Sequence, residues 1–330
     1  MTRPRITPSK RERRRIPCSF AGFFLPFFVA IVCSTSSLFP QQQTKKQELD
    51  YQVSVSAITI AVTVQDDGGR FVNDLTEKDF AVYENNARQT ITYFRHDFEA
   101  PLSLTILLDV SGSMLLQDKL SEAKEALRHL ITNILRPPDE VSLLVFADGD
   151  VEVAARFSTD KRELLSVLDK TEAYGQTALN DAVAVSPEFA NRVKNEKRAL
   201  LLITDGIEND SHLSPDQAVE IARKVEVPIY TIGYKIPLSD QYLKKHKREP
   251  GLTSAGIIAT LERFSQATGG KSYIISRLSE LYIAMGEIQR EQSHQYIIGY
   301  TSYKDTKDEY RKIKVLTSKK KYRVRTREGY

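Results

Sequence analysis

The apolar positions of this chain change rhythm twice. Val53, Val55, Ile58, Ile60, Val62 and Val64 keep a two-residue spacing that ends in Asp66-Asp67-Gly68-Gly69, the pattern of a half-buried strand running into a turn. Leu75 to Phe80 leads to Val82-Tyr83-Glu84, the turn Asn85-Asn86 and a strand Thr90 to Phe94, which predicts antiparallel hairpins. The same rhythm returns at the other end in Tyr296 to Tyr300, Tyr310 to Leu316 and Tyr322 to Arg327. Two or three exposed strands are marginal alone. The flanks are therefore expected either to pair into one small β-sandwich or to pack separately on what lies between them.

Between them the rhythm is that of an α/β domain. Thr105 to Leu108 and Arg198 to Ile203 are continuous apolar runs, as strands buried on both faces require. Leu120, Ala123, Leu127, Leu130, Ile131 and Ile134 follow a helical period over 117–135, and Pro137-Pro138 stops it. Strands are expected at 141–146, 151–157, 228–233 and 272–275. Helices are expected at 161–169, 178–193, 215–225, 256–267 and 278–292. Strands alternating with helices predict a doubly wound, mostly parallel sheet covered on both faces, with right-handed crossovers. The expected domains are 51–98 as an N-terminal β segment, 99–293 as the α/β domain, and 294–330 as a C-terminal β segment packing with the first.

Candidate chemistry sits at the strand ends. The first apolar run delivers Asp109, Ser111 and Ser113 in the sequence Asp-Val-Ser-Gly-Ser, one carboxylate and two hydroxyls on one side of an extended turn. Such a set suits a small hard cation that takes only oxygen ligands, and Gly112 lets the backbone fold tightly between the serines. The second run ends in Thr204-Asp205-Gly206, and Gly175-Gln176-Thr177 precedes a helix. Groups at the carboxyl ends of parallel strands converge on one crevice. The bland alternative is that Asp109 and Ser111 cap a helix starting near Leu115 and that Asp205 opens a turn.

The order Asp109-x-Ser111-x-Ser113, Thr177, Asp205 resembles the metal-ion-dependent adhesion site of von Willebrand factor type A domains. The resemblance implies that Ser111, Ser113 and Thr177 offer hydroxyls directly to Mg²⁺, while Asp109 and Asp205 hold it directly or through water. Residue type does not separate Mg²⁺ from Mn²⁺ or Ca²⁺, since all accept these oxygens. The flanks extend the likeness: Val64 to Gly69, Leu75 to Glu84, Gln89 to Phe94, Tyr296 to Tyr300 and Arg327 to Tyr330 resemble a bacterial exported "VWFA-related" family.

Residues 1–37 change the charge picture. Arg3, Arg5, Lys10, Arg11, Arg13, Arg14 and Arg15 precede an apolar stretch from Phe20 to Cys33, followed by Ser34-Thr35-Ser36-Ser37. A basic region, an apolar core of about 14 residues and small residues describe a secretory signal peptide. An uncleaved anchor, the sole expected membrane contact, is the alternative. The formal charge of +4 for 330 residues becomes about −2 without this leader, so the basicity belongs to targeting. Both cysteines, Cys18 and Cys33, lie there too, and 38–50 reads as a polar linker.

The segment 235–254 carries Lys244, Lys245, Lys247 and Arg248. A loop of that length inside a compact domain is unusual; it is either a basic contact for an anionic partner or a solvated insertion. The sequence holds no Gly-x-Ser-x-Gly elbow, phosphate loop or dinucleotide fingerprint. Its five histidines lack ligand spacing. The expectation is thus an exported, non-enzymatic module that binds a protein, not nucleic acid, by presenting a cation to a partner Asp or Glu. The alternatives are an envelope scaffold whose metal is structural and, last, a metal-dependent hydrolase.

Overall fold

The computed structural model describes residues 54–330 except 97, 194, 238–252, 305–309 and 320. The leader, the linker and the lysine-rich stretch with Lys244, Lys245, Lys247 and Arg248 lie outside the described residues. Residues 51–330 form one compact unit. Among the described residues, no helix is long and apolar enough to cross a membrane.

The N-terminal flank supplies β1 (Ser54–Gln65), β2 (Phe80–Glu84), β3 (Ala87–Gln89) and β4 (Ile91–Arg95). The α/β region follows with β5 (Leu102–Asp109), α1 (Lys119–His129), β6 (Glu140–Ala147), β7 (Asp150–Ser158), α2 (Lys161–Lys170), α3 (Leu179–Ala190) and β8 (Lys197–Thr204). It continues through α4 (Pro215–Ala222), β9 (Ile229–Tyr234), α5 (Ser254–Thr268), β10 (Ser272–Ile275) and α6 (Leu278–Ser293). The C-terminal flank adds β11 (Tyr296–Lys304), β12 (Ile313–Thr317) and β13 (Arg323–Arg325).

The central sheet runs β10-β9-β8-β5-β6-β7. Its pairs are parallel except β6 with β7. That exception has a local cause: Asp148 and Gly149 both adopt positive φ, 49° and 72°, the conformation of a two-residue hairpin turn, and so short a link cannot make a parallel crossover. Every residue of β5 is buried, which explains its unbroken apolar run. Leu104, Ile106 and Leu108 face a core that includes Leu127, Leu281 and Met285. Leu107 joins Leu200, Leu202, Val183, Leu261 and Phe264 in a second core. Two apolar layers therefore clamp the sheet and fix the heights at which its strands end.

The long helix expected over 117–135 is divided. Gly112–Asp118 forms a tight turn with a kink, in which Leu116 is extended and Gln117 left-handed. Regular helix begins at Lys119, and the last turn widens over Leu130–Ile134.

In the flanks, β2 and β3 form a hairpin through Asn85-Asn86, with φ of 47° and 66°. β1 does not pair with the next strand in sequence, contrary to the hairpin reading. It pairs antiparallel with β11 and β13, while β12 pairs with β2. The chain after Gln65 instead crosses to the second sheet and is held by Tyr296, whose hydroxyl accepts from Leu75 N at 3.2 Å and donates to Val72 O at 2.8 Å. The two sheets, β13-β1-β11-β4 and β12-β2-β3, enclose a third core that includes Ile60, Val62, Phe80, Val82, Ile298 and Val315.

Candidate metal centre

β5 is the central strand from which the sheet grows both ways, through β6 on one side and β8 on the other. Loops leaving β5 and β8 must diverge, and the crevice between them is where open α/β sheets take ligands. Asp109 closes β5 and Asp205 follows β8. Thr177 arrives from the segment before α3. All five candidates, Asp109, Ser111, Ser113, Thr177 and Asp205, are buried.

Backbone bonds stitch the three loops together. Gly112 N donates to Gly175 O at 3.0 Å, and Tyr174 N to Val110 O at 2.8 Å. Asn209 N and Asp210 N both donate to Thr177 O, at 3.1 and 3.0 Å, and Thr177 N donates to Asn209 Oδ1 at 2.7 Å. Glycine eases packing at two positions, between the first two loops at Gly112 and against the β6–β7 turn at Gly175. A Cβ on Gly112 would lie 3.2 Å from Gly175 O, and Gly175, at φ +67°, would drive one to 2.1 Å from Asp148 Oδ1.

Asp109 Oδ1 accepts from Ser111 N at 2.9 Å, and Oδ2 accepts from the Thr204 hydroxyl at 2.6 Å. Ser111 begins the turn after β5 but makes no side-chain capping bond. Its hydroxyl lies 3.1 Å from that of Ser113. Helix capping thus does not account for Ser111. Two cis ligands of an octahedral cation with bonds of about 2.1 Å are about 3 Å apart, which is the spacing of these two hydroxyls. Two carboxylates and three hydroxyl groups from converging loops fit a hard divalent cation. Among the described residues, no group of three or more His, Cys, Asp or Glu could hold a metal, so hydroxyl oxygen would be an integral part of any such centre.

Burial holds the Asp109 carboxyl well above the usual range, up to about 7, and the neighbouring Asp205 charge pushes the same way against the bonds from Thr204 and Ser111. Two carboxylates out of water call for positive charge.

Sequence reasoning missed the group that supplies it. Lys119, almost fully buried, sets its Nζ 2.7 Å from Asp205 Oδ2 and 3.5 Å from Ser113 O. Asp205 Oδ1 accepts from Ile207 N at 3.1 Å. A signal for Lys119 did exist, because a lysine in the first turn of a helix opposes the helix dipole and needs another reason to be there. Thr204 and Asn209 were also missed, since their roles depend on contacts far apart in sequence. The rim is apolar: Leu115, Leu116 and Tyr174 are 63%, 42% and 46% exposed. A cleft of about 670 Å³ beside it is lined by Met114, Leu115, Asp118, Lys124, Arg128 and Glu172, among others.

The von Willebrand factor type A domain family matches residues 104–208, a span that contains all five candidates. An uncharacterized protein of Borreliella burgdorferi is 25% identical over 231 residues, 66% of each chain. The uncharacterized protein YfbK of Escherichia coli (strain K12) is 27% identical over 146 residues, 42% of this chain and 25% of its own. The chain thus spans just under two thirds of the first relative and a quarter of the second. Among solved structures, BatB from Bacteroides thetaiotaomicron matches with a TM-score of 0.45 at 20% identity, covering 58% of this chain and 98% of its own. Proximal thread matrix protein 1 of the mussel byssus, solved with a zinc-occupied MIDAS motif, matches with 0.47 at 18%, covering 64% and 50%. The vWF domain of the pilus tip protein Mfa5 from Porphyromonas gingivalis matches with 0.44 at 10%, covering 58% and 94%.

Proposed function

The α/β domain being of the von Willebrand factor type A kind, we propose that this protein is an exported, metal-dependent protein-binding module. Asp109, Ser111, Ser113, Thr177 and Asp205 would hold a divalent cation, Mg²⁺ or in its place Mn²⁺ or Ca²⁺. The cation would supply an electrophilic point at which a partner's Asp or Glu completes the coordination. The observation that carries this reading is the convergence of two buried carboxylates and three hydroxyl residues at the switch point of the sheet.

The chain's own residues prepare that contact. Ser111 N and the Thr204 hydroxyl fix the Asp109 carboxylate in one orientation, and Asn209 fixes the Thr177 loop. Preorganised groups lose little freedom on binding. Leu115, Leu116 and Tyr174 would bury apolar surface around the charged contact and supply specificity that one carboxylate cannot. Lys244, Lys245, Lys247 and Arg248 would give a second, electrostatic contact with an acidic partner. Export rests on the leader's basic and apolar regions.

A purely structural metal is less well supported. The three loops are already joined by backbone bonds, and Lys119 already answers the Asp205 charge, so a cation is not needed to hold them. Capture of a partner from envelope extract with Mg²⁺, with chelator, and with Asp109→Ala tests the proposal. Capture by wild type with metal alone supports recognition through the cation. Equal capture in all three would assign binding to the flanks or the basic segment and refute it.

A further inference from the structure

The feature of the site that metal binding does not explain is Lys119. A buried ammonium within hydrogen-bond distance of a carboxylate assigned to a divalent cation repels that cation, and this chain spends backbone strain to keep it there. Gln117 and Asp118, neither of them glycine, take left-handed φ of 57° and 58° immediately before Lys119. Lys235, itself at φ 48°, donates from Nζ to Gln117 O at 3.0 Å and pairs with Glu122 at 2.5 Å. Consecutive strained residues persist only where the surroundings over-determine them, and they cluster at functional sites. Here they turn the first residue of α1 inward.

Asp109 and Asp205 carry two negative charges when ionised and Lys119 one positive, so the site without a cation is left at −1. With a divalent cation it stands at +1. Were residue 119 neutral, the loaded site would carry no net charge and would have no electrostatic call for a further anion. In a buried setting a unit of uncompensated charge is a strong demand.

Building on the metal-dependent reading above, we propose that Lys119 is the residue that sets the charge of this centre. It is a standing counter-cation that keeps the loops folded without metal, weakens divalent binding, and leaves the loaded centre positive so that a carboxylate must complete it. Lys119 touches Asp205, not the partner, and acts as a positioning residue.

The test compares wild type with Lys119→Met, Lys119→Gln and Lys119→Arg in three readings: Mn²⁺ affinity by calorimetric titration, melting temperature in EDTA, and uptake of acetate by the Mn²⁺-loaded proteins, followed by water-proton relaxation. Lys119→Met is expected to bind Mn²⁺ about tenfold tighter or more, from the loss of a like charge at close range. It is also expected to melt several degrees lower in EDTA, with Mn²⁺ restoring the difference, and to require at least about fivefold more acetate. Lys119→Arg keeps the charge and should follow wild type in direction on all three. Unchanged or weaker Mn²⁺ affinity in Lys119→Met overturns the inference while leaving metal-dependent recognition standing, and acetate uptake equal to wild type overturns its last part. Binding by Lys119→Met but not by wild type supports Lys119 as a replacement for the metal and sinks metal-dependent recognition. No binding by either overturns both. Should Lys119→Met not fold, Lys119→Gln carries the same readings. Failure of both to fold with Mn²⁺ present counts against the inference, because the cation should replace the lost charge.

Discussion

At the scale of single residues, Asp109 makes the site respond to pH. Its carboxyl is pushed up to about 7 by burial and by the Asp205 charge, whereas in the unfolded chain it titrates in the ordinary range near 4. Between these limits the metal-free folded protein holds a proton that the unfolded chain has released. Stability from this group is therefore present at low pH, falls as pH rises from about 4 to about 7, and levels off above. A divalent cation needs the ionised form, so its affinity should rise through the same window. Melting curves in EDTA and in Mg²⁺ at pH 5, 6, 7 and 8 should accordingly trend in opposite directions, and Asp109→Asn should flatten both. Parallel trends would contradict the assignment of Asp109 to the centre. Thr204→Val removes the hydroxyl that donates to this carboxylate and should destabilise the protein by about 1–3 kcal/mol in denaturant titration; no loss would mean that Asp109 finds another donor.

At the scale of elements, what was legible in the sequence was what local pattern decides. The buried run of β5 and the Asp-x-Ser-x-Ser loop behind it could be read directly, because continuous apolarity and side-chain oxygen chemistry need no partner to be recognised. The turn Asn85-Asn86 was legible too, but its second arm is the short β3, whereas the strand expected at Thr90 to Phe94 is β4 and pairs with β11 in the other sheet. Pairing at a distance could not be read. β1 looks locally like the first half of a hairpin, yet its partners β11 and β13 lie at the far end of the chain. Lys119 belongs with these, since only the fold brings it against Asp205, 86 residues away in sequence.

The same distance effect governs Glu84 on β2. This carboxylate is almost fully buried and accepts from Ser302 Oγ at 2.8 Å, Tyr330 Oη at 2.8 Å and Arg311 Nη1 at 3.1 Å. Burial alone would raise its pKa, but these bonds outweigh it and hold it below the usual range. Its contribution to stability is thus present above the ordinary carboxylate range and is lost as pH falls through the depressed folded value. Glu84→Gln should loosen the joint between β2, β11 and the C-terminal end, costing about 2–3 kcal/mol at neutral pH and less below pH 4. An acid-insensitive difference between variant and wild type would argue that the loss is one of packing.

At the scale of the whole molecule, the flanks are tied to the α/β region through buried or half-buried charges. Arg327 Nη2 donates to Glu226 at 2.9 Å and to Thr59 O at 3.1 Å, so one residue links β1 to the segment before β9. Arg325 on β13 pairs with the buried Glu291 of α6, and Tyr230 of β9 donates to the same carboxylate. Gly270 permits a related close approach, since a Cβ there would fall 2.0 Å from Ile229 O, just beneath the Arg325 contact to Gly270 O at 3.1 Å. Buried pairs whose members come from different regions are costly to break from one side, by about 3 kcal/mol or more. The flanks and the α/β region are therefore expected to unfold together. Scanning calorimetry of wild type should give one transition whose calorimetric and van't Hoff enthalpies agree. Glu291→Ala strands Arg325 and removes the Tyr230 acceptor, so it should lower that transition and make the two enthalpies diverge as the flank sheets melt first. Glu291→Gln retains an acceptor for Tyr230 and should fall between. If wild type itself melts in two steps and Glu291→Ala moves only one, the charged joint is a contact between independent bodies, and a cation bound at the end of β5 would stabilise only the α/β step. If it melts in one, the cation should raise the whole transition, and loading at the centre would be felt in flank strands that never touch it.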